Sequence, residues 1–221
     1  MSKGTCFLIV LLVNFLNGQS TNQIRWYETT ADYVHNNLSE DYVIPKEIQF
    51  ESEKFLRITK LLDPATGKKS KKAGYPWAVS YDSIVYFNLR YGTSVQLDEL
   101  YINPDSTGRF CVVYADKEIL EVIYQFSTQY YGGGLLGVLI NDSAKWGRNW
   151  KNENDEKIKI LIMDTQKLEI LNSKGRGNAA WKVLSKDNFN EILDLNYDKE
   201  ILKDLSVKEI KEIIDKKNNV D

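Results

Sequence analysis

The sequence predicts an α+β fold, in which an antiparallel sheet built from hairpins and a meander packs against helices of the C-terminal part. β-Branched and aromatic residues dominate residues 77–116, a composition typical of strands on a half-buried sheet face. Apolar residues at helical spacing are concentrated at about 183–217. Strands followed by helices, without strict alternation, favour this class over a parallel sheet.

Residues 1–18 have the layout of a cleavable signal peptide. Lys3 supplies the positive charge, an apolar stretch covers residues 6–16, and small and polar residues follow. The stretch is shorter than the roughly 20 residues that a membrane span needs, so an uncleaved anchor is the weaker alternative. We expect cleavage near Gly18 and a secreted or periplasmic chain. Residues 19–221 would then form a single domain without a transmembrane helix.

The mature chain is expected to carry a small negative charge and a single thiol. The chain has 29 Lys and Arg against 31 Asp and Glu, and loss of Lys3 leaves 28 against 31, a net charge of −3. Nucleic acid is therefore not an expected partner, because phosphate backbones are bound by cationic surfaces. Loss of Cys6 leaves Cys111 in the apolar run 110–114. We expect a buried thiol there rather than a reactive one.

The first elements after the leader are a short helix and a pair of strands. Thr29 predicts a helix N-terminus, and the helix should end near residues 36–37. Residues 46–50 and 54–62 are predicted strands. The second strand should end in a turn at 63–67, which contains proline and glycine.

The central part predicts an antiparallel meander, followed by a hairpin. A reversal at Asp82–Ser83 and a turn at 104–108 separate its β-rich segments. A further hairpin is expected between residues 157–163 and 168–171. The segments of the meander are residues 77–81, 84–89, 97–102 and 109–114.

Two helices are predicted near the C-terminus. Ser185 is expected to cap the first, whose apolar residues are Phe189, Ile192 and Leu193, with Leu195 as an optional fourth. Ser206 and Glu209 have the spacing of a capping box for the second helix. The stripe that this helix would bury is Val207, Ile210, Ile213 and Ile214.

Residues 132–137 have the glycine spacing of a dinucleotide-binding fingerprint, and a candidate strand at Leu120–Tyr124 precedes them. Such a site needs a helix that begins at the glycines. Residues 141–150 show no helical periodicity. We therefore expect neither a nucleotide nor another cofactor.

The same segment contains Leu135 and Leu136 beside Gly137. One interpretation is a close approach of backbone in the core, which glycine permits. The other is an apolar surface that contacts a partner protein or, peripherally, a membrane. These three residues are the candidate partner contact.

No catalytic or metal-binding constellation is predicted. His35 is the only histidine, so any His-based metal site or Ser/His/Asp triad would have to use it. Its place near a helix end favours a contact with the terminal carbonyls instead. Carboxylates are plentiful, which leaves a paired-carboxylate glycosidase as an alternative. Trp146 and Trp150 are candidate sugar-stacking residues, or they anchor a loop to the core.

Several segments resemble a group of secreted proteins from Bacteroidetes. The resemblance rests on residues 27–33, on the strands around Trp77 and Tyr86, on residues 130–137 and on the hairpin at 160–171, followed by the acidic terminal helices. It covers most of the mature chain. The group has no assigned activity, so the resemblance implies a bacterial envelope location and no particular chemistry.

These features predict an exported cell-envelope protein with a non-enzymatic binding or structural role. Its contact surface is expected on the sheet or at residues 132–140, towards an unidentified protein, an envelope component or a membrane surface. The alternative is a carbohydrate-binding module or a carboxylate-dependent glycan hydrolase that uses Trp146 and Trp150.

The leader provides the first testable prediction. Intact-mass measurement and N-terminal sequencing of the protein from fractionated cells should find Gln19 as the first residue, outside the cytosol. Substituting Leu11→Arg should block export, because a charge in the apolar stretch weakens recognition of the signal. Full-length protein with Met1 attached and free in the cytosol would contradict the prediction.

Overall fold

A computed structural model describes residues 23–71, 73, 76–89, 99–130, 150–167 and 180–219. The predicted leader, residues 1–18, lies outside this part. The α+β class with antiparallel sheets is confirmed. The strands are β1 (Arg25–Tyr27), β2 (Ile44–Phe50), β3 (Phe55–Leu62), β4 (Ala78–Tyr81), β5 (Ile84–Asn88), β6 (Leu100–Ile102), β7 (Phe110–Ala115), β8 (Trp150–Lys151), β9 (Lys157–Asp164) and β10 (Lys182–Leu184). The helices are α1 (Thr30–Val34), α2 (Lys117–Tyr130), α3 (Phe189–Leu193), α4 (Lys199–Asp204) and α5 (Val207–Asn218).

The first sheet has six antiparallel strands in the order β1-β4-β5-β6-β3-β2 and curls until its edges meet. Its edges are joined by a bridge between Ile24 and Val43, with two backbone hydrogen bonds of 2.9 Å each. Residues from all six strands form one core cluster on the inner face. The two edges are therefore joined at this one residue pair, and the curled sheet has an interior.

The second sheet contains β10, β9 and β7 in that order, and β8 pairs with β9. Cys111 and Val113 on β7 face a core shared with the first sheet, while Phe110 and Val112 face a core shared with the C-terminal helices. All four side chains are buried. The second sheet is thus the middle layer, with the first sheet on one face and helices α3, α4 and α5 on the other.

The last helix, α5, has the predicted capping box. Ser206 accepts a hydrogen bond from the Glu209 amide, and the Glu209 carboxylate accepts one from the Ser206 amide at 2.8 Å. The predicted stripe is confirmed: Ile210 and Ile214 are buried, and Val207 and Ile213 pack against the same cluster. Sequence periodicity sufficed here because the helix buries one face only.

The predicted strand at Leu120–Tyr124 is wrong, because this stretch lies in the 14-residue helix α2. Asp116 begins the helix by accepting a hydrogen bond from the Ile119 amide at 2.9 Å. Leu120, Ile123 and Phe126 recur every third residue and are buried in the core between the sheets. A helix in front of the glycines also differs from the strand that a dinucleotide fingerprint requires.

The predicted meander is only partly correct. Strands β4, β5 and β6 are consecutive neighbours, but β7 leaves them and pairs with β9 in the second sheet. The turn before β7 therefore connects two sheets rather than two neighbouring strands. Buried side chains on both faces of β7 are typical of a strand between two layers.

The turns of the first sheet match the prediction. Asp82 and Ser83 have φ values of 49° and 66°, which suit a two-residue hairpin turn between β4 and β5. Thr29 caps helix α1 in a capping box with Asp32, and the helix ends at Val34 with His35 as its C-cap, slightly before the predicted end near residues 36–37. Gly67, with φ of 64°, lies in the turn after β3.

Helix α4 was not predicted, and two further details of the C-terminal part differ from the prediction. Helix α3 begins at Phe189 with Asn188 as its N-cap, not at Ser185, because the Ser185 amide donates to Asn188 Oδ1 at 2.7 Å in a turn that precedes the helix. The helix ends at Asp194, which has a left-handed φ of 52°, so Leu195 lies beyond it. Phe189, Ile192 and Leu193 are buried as predicted. Strand 157–163 is confirmed as β9, while residues 168–171 lie outside the described residues.

The end of helix α5 is tied to the edge of β7 by the amide group of Asn218. Its Oδ1 accepts from the Phe110 amide at 2.7 Å, and its Nδ2 donates to the Phe110 carbonyl at 2.9 Å. Gly108 permits this approach: its φ is 138°, and a Cβ there would lie 2.9 Å from Asn218 Cγ. One side chain thus replaces a neighbouring strand at this edge of the second sheet.

Asn218→Ala should therefore lower the free energy of unfolding by about 1–3 kcal/mol, because it leaves the Phe110 amide without its acceptor. Urea unfolding followed by tryptophan fluorescence measures the change. Asn219→Ala is the matched control: Asn219 is the exposed next residue, and the variant should stay within about 0.5 kcal/mol of the native protein. Equal stability of the two variants would contradict the assigned role of Asn218.

Candidate functional site

The inner face of the six-stranded sheet is rich in aromatic side chains. Trp26, Tyr81, Tyr86 and Tyr101 belong to its core cluster and are buried. Trp26, Val79 and Tyr86 lie in one row across β1, β4 and β5. Side chains alternate between the two faces of a strand, so the next residues along these strands, Tyr27, Ala78 and Phe87, face the core shared with the second sheet.

At one end of this interior, apolar side chains reach the surface. Tyr81 and Ile84 are directly opposite each other across the β4–β5 turn. The Phe50 ring at the end of β2 lies 6.2 Å from the Tyr81 ring, centroid to centroid, at 46°. Phe50 is 56% exposed, Ile84 42% and Tyr81 8%. We call these three side chains the open-end patch.

The open-end patch exists because the sheet closes. Strands β2 and β4 are not neighbours in the sheet, so Phe50 and Tyr81 meet across the interior rather than along a strand pair. Tyr81 is held by its position in the β4–β5 hairpin. The patch therefore consists of side chains on paired strands, which fix aromatic rings better than a loop does.

The carboxylate of Asp82 lies in the turn next to the patch. Burial raises the pKa of Tyr81, and the negative charge of Asp82 raises it further. Burial also raises the pKa of Tyr86, with smaller contributions from Asp82 and Tyr81. Both phenols stay protonated at neutral pH, so each keeps a hydroxyl group that can donate and accept a hydrogen bond.

Glu51 adds a second carboxylate at this end of the sheet. It follows Phe50 directly, and its Oε1 is buried without a hydrogen-bond donor. Two cations of this sheet are placed elsewhere. Lys54 contacts Asp105. Arg25 is paired in register with Ser80, so its side chain lies on the strand face opposite to that of Trp26. Within the part of the chain that the structure describes, the side chains of Asp82 and Glu51 have no ion-pair partner.

Cys111 lies in a second aromatic cluster, between the two sheets. Its Sγ is 3.7 Å from the hydroxyl of Tyr33, and the Tyr33 ring packs edge-on against Tyr27, Trp77 and Phe87. Burial raises the pKa of the Cys111 thiol to about 12, although the Tyr33 hydroxyl acts in the opposite direction. The expected buried thiol is confirmed, and its chemistry is that of a small apolar side chain.

Trp150, a candidate sugar-stacking residue, does not present a free ring. It is 1% exposed, and its indole N–H donates to the Leu184 carbonyl at 2.9 Å. Phe189 lies 5.7 Å from its ring centroid and the Lys186 ammonium 5.5 Å. Trp150 is therefore an anchor in the core, as the other interpretation of this residue predicted. The sugar-binding hypothesis therefore depends on Trp146, which lies outside the described residues.

The candidate partner contact, Leu135, Leu136 and Gly137, also lies outside the described residues. His35 is exposed at the end of α1, and its Nδ1 is 2.8 Å from the Ala31 carbonyl oxygen, the contact expected for it. Over the described ranges, no three His, Cys, Asp or Glu side chains are grouped so that they could hold a metal ion. In the same ranges, no helix combines the length and the apolarity that crossing a membrane requires.

Sequence reasoning did not identify the open-end patch. Phe50, Tyr81 and Ile84 each belong to a predicted strand, but nothing in the local pattern marks them as neighbours. The one available signal is the Asp82–Ser83 reversal, which places Tyr81 opposite Ile84. The contribution of Phe50 depends on closure of the sheet, which brings together residues 31 positions apart.

Comparisons with known proteins found no match to the chain among family models, curated proteins or solved structures.

The surroundings of Cys111 lead to a prediction about its reactivity. In protein that starts at Gln19 and so lacks Cys6, a thiol reagent such as DTNB at pH 8 should label Cys111 only as fast as the core opens, because the thiol is buried and protonated. Rates measured across a urea series should follow the unfolded fraction. Rapid, complete labelling of the folded protein would show that the thiol is accessible, contrary to this prediction.

Proposed function

We propose that the chain is an exported cell-envelope protein with a non-enzymatic binding role, and that the open-end patch is its contact surface for another protein. The observation that carries the proposal is the exposed Phe50 ring, 56% accessible and in contact with Tyr81. Exposed apolar side chains grouped on a soluble surface are typical of interaction sites. Aromatic residues are enriched in such interfaces.

The form of the patch supports a binding role. Tyr81 and Ile84 are held by the β4–β5 hairpin, and Phe50 by the β2–β3 pair. An aromatic ring held in this way loses little side-chain entropy when a partner covers it. The rim is polar, with Asp82 and Ser83 in the exposed turn. An apolar centre with a polar rim is the usual arrangement of a protein interface.

The location is part of the same proposal. Residues 1–18 have the layout of a signal peptide, and the resemblance to secreted Bacteroidetes proteins implies the envelope of a bacterium. A contact patch of a few side chains suits a transient partner, since interfaces of this class are the smallest that bind specifically.

Site-specific photo-cross-linking tests the proposal. Benzoylphenylalanine placed at Phe50 should give a discrete cross-linked protein in cells that export the chain. The same group placed at Val183, which is 37% exposed on the second sheet, is the control and should give background only. In a chain that carries the cross-linker at Ser83, Phe50→Ser should remove the product, because it deletes the apolar contact.

The possible results distinguish a protein partner, a membrane surface and the absence of a contact at this patch. Equal background at Phe50 and Val183 would contradict the proposed contact surface. A product made of lipid rather than protein would replace the protein partner with a membrane surface. Circular dichroism of each variant shows whether the sheet has kept its fold.

A further inference from the structure

The aromatic rings of the open-end patch lie next to a turn that carries a carboxylate, that of Asp82. The exposed Phe50 ring lies 6.2 Å from the buried Tyr81 ring, and the face of an aromatic ring attracts a cation through its quadrupole. Asp82 lies in the turn between Tyr81 and Ile84. Glu51 follows Phe50 along the chain. Rings and carboxylates together favour a positively charged organic group over a neutral or anionic one.

We propose that the open-end patch binds a lysine or arginine side chain from a basic segment of the partner protein. This inference rests on the proposed function and specifies the chemistry of the partner. The apolar stem of the side chain would pack against Ile84, and its charged end would lie beside the Phe50 ring and the Asp82 carboxylate. Lysine and arginine both have such a stem and a charged end.

The surrounding charges support a cationic ligand. Among the residues that the structure describes, no lysine or arginine pairs with Asp82 or Glu51, while Lys54 is paired with Asp105. The Asp82 side chain is exposed in the β4–β5 turn, where an ammonium or guanidinium group could bring its N–H donors to the carboxylate. Loss of the leader also leaves a net charge of −3, which attracts a basic segment from a distance.

Other ligands fit this chemistry less well. An anionic group would meet the Asp82 carboxylate, and like charges in contact oppose binding. A purely apolar segment would cover the carboxylates without replacing their hydration, which is costly. A cation can contact the face of the Phe50 ring and pair with the Asp82 carboxylate at the same time.

Peptide titration of the mature protein tests the inference. The probes are hexalysine, hexaglutamate and hexaserine, followed by isothermal titration calorimetry and by chemical-shift changes of the Phe50 and Ile84 amides. Hexalysine should bind saturably, more weakly as salt is added, since salt screens exposed charges. Hexaglutamate and hexaserine should not bind.

Two variants with matched controls separate the contribution of the Phe50 ring from that of the Asp82 charge. Phe50→Leu keeps an apolar side chain but removes the ring face, and should weaken hexalysine binding about two- to fivefold. Asp82→Asn removes the charge with a residue that tolerates the left-handed φ of 49°, and should weaken it about two- to fivefold. Val183→Ser and Asp198→Asn remove an exposed apolar side chain and an exposed carboxylate elsewhere, and should leave binding unchanged.

Failure of this inference is distinguishable from failure of the proposed function. The inference is overturned if hexalysine does not bind, if hexaserine binds equally well, or if Phe50→Leu and Asp82→Asn weaken binding no more than their controls. If cross-linking from Phe50 still captures a protein, the binding role stands and only the cationic ligand is wrong. If cross-linking fails as well, both are wrong.

Discussion

The antiparallel pairing of β7 with β9 is the interaction on which the rest of the structure depends. Six residue pairs join the strands, from Phe110 opposite Asp164 to Ala115 opposite Lys159. Both strands are buried on both faces, so this pair separates the core that it shares with the first sheet from the core that it shares with the helices. Without the pair, neither outer layer would have a surface on which to bury its apolar residues, and each such side chain contributes roughly 1.5–3 kcal/mol when buried.

The ends of β7 show how the layers are held in register. Asn218 ties helix α5 to the Phe110 backbone. Next to it, the Arg109 guanidinium contacts Asp164 at 3.2 Å and Asp194, at the end of α3, at 2.5 Å. Lys167 also pairs with Asp194, and hydrogen bonds from Lys167, the larger cause, and from Arg109 lower the pKa of that carboxyl. Polar contacts thus set the position of the helices that the apolar core attracts.

Closure of the first sheet accounts for both its stability and its surface chemistry. An open sheet edge exposes unpaired backbone groups, and the Ile24–Val43 bridge joins the two edges instead. The described tryptophans, Trp26, Trp77, Trp150 and Trp181, are all buried, so their rings serve the cores rather than recognition. Phe50 and Ile84 remain exposed because they lie where the closed interior ends. The exposed patch proposed as a contact surface is therefore a consequence of how the sheet closes.

The sequence by itself determined the α+β class, most strands, the Asp82–Ser83 turn, the Thr29 cap, and the capping box and buried stripe of α5. These features depend on interactions within a few residues, or on one periodic face, and composition and spacing report both. The helix α2 was missed because the candidate strand inside it is too short for periodicity to distinguish strand from helix. Only the tertiary structure decided that β7 changes sheets, that Trp150 is an anchor and that Phe50 meets Tyr81. Each of these depends on which distant segments pair, and the free energy of such pairing comes from burial in a shared core that no local pattern contains.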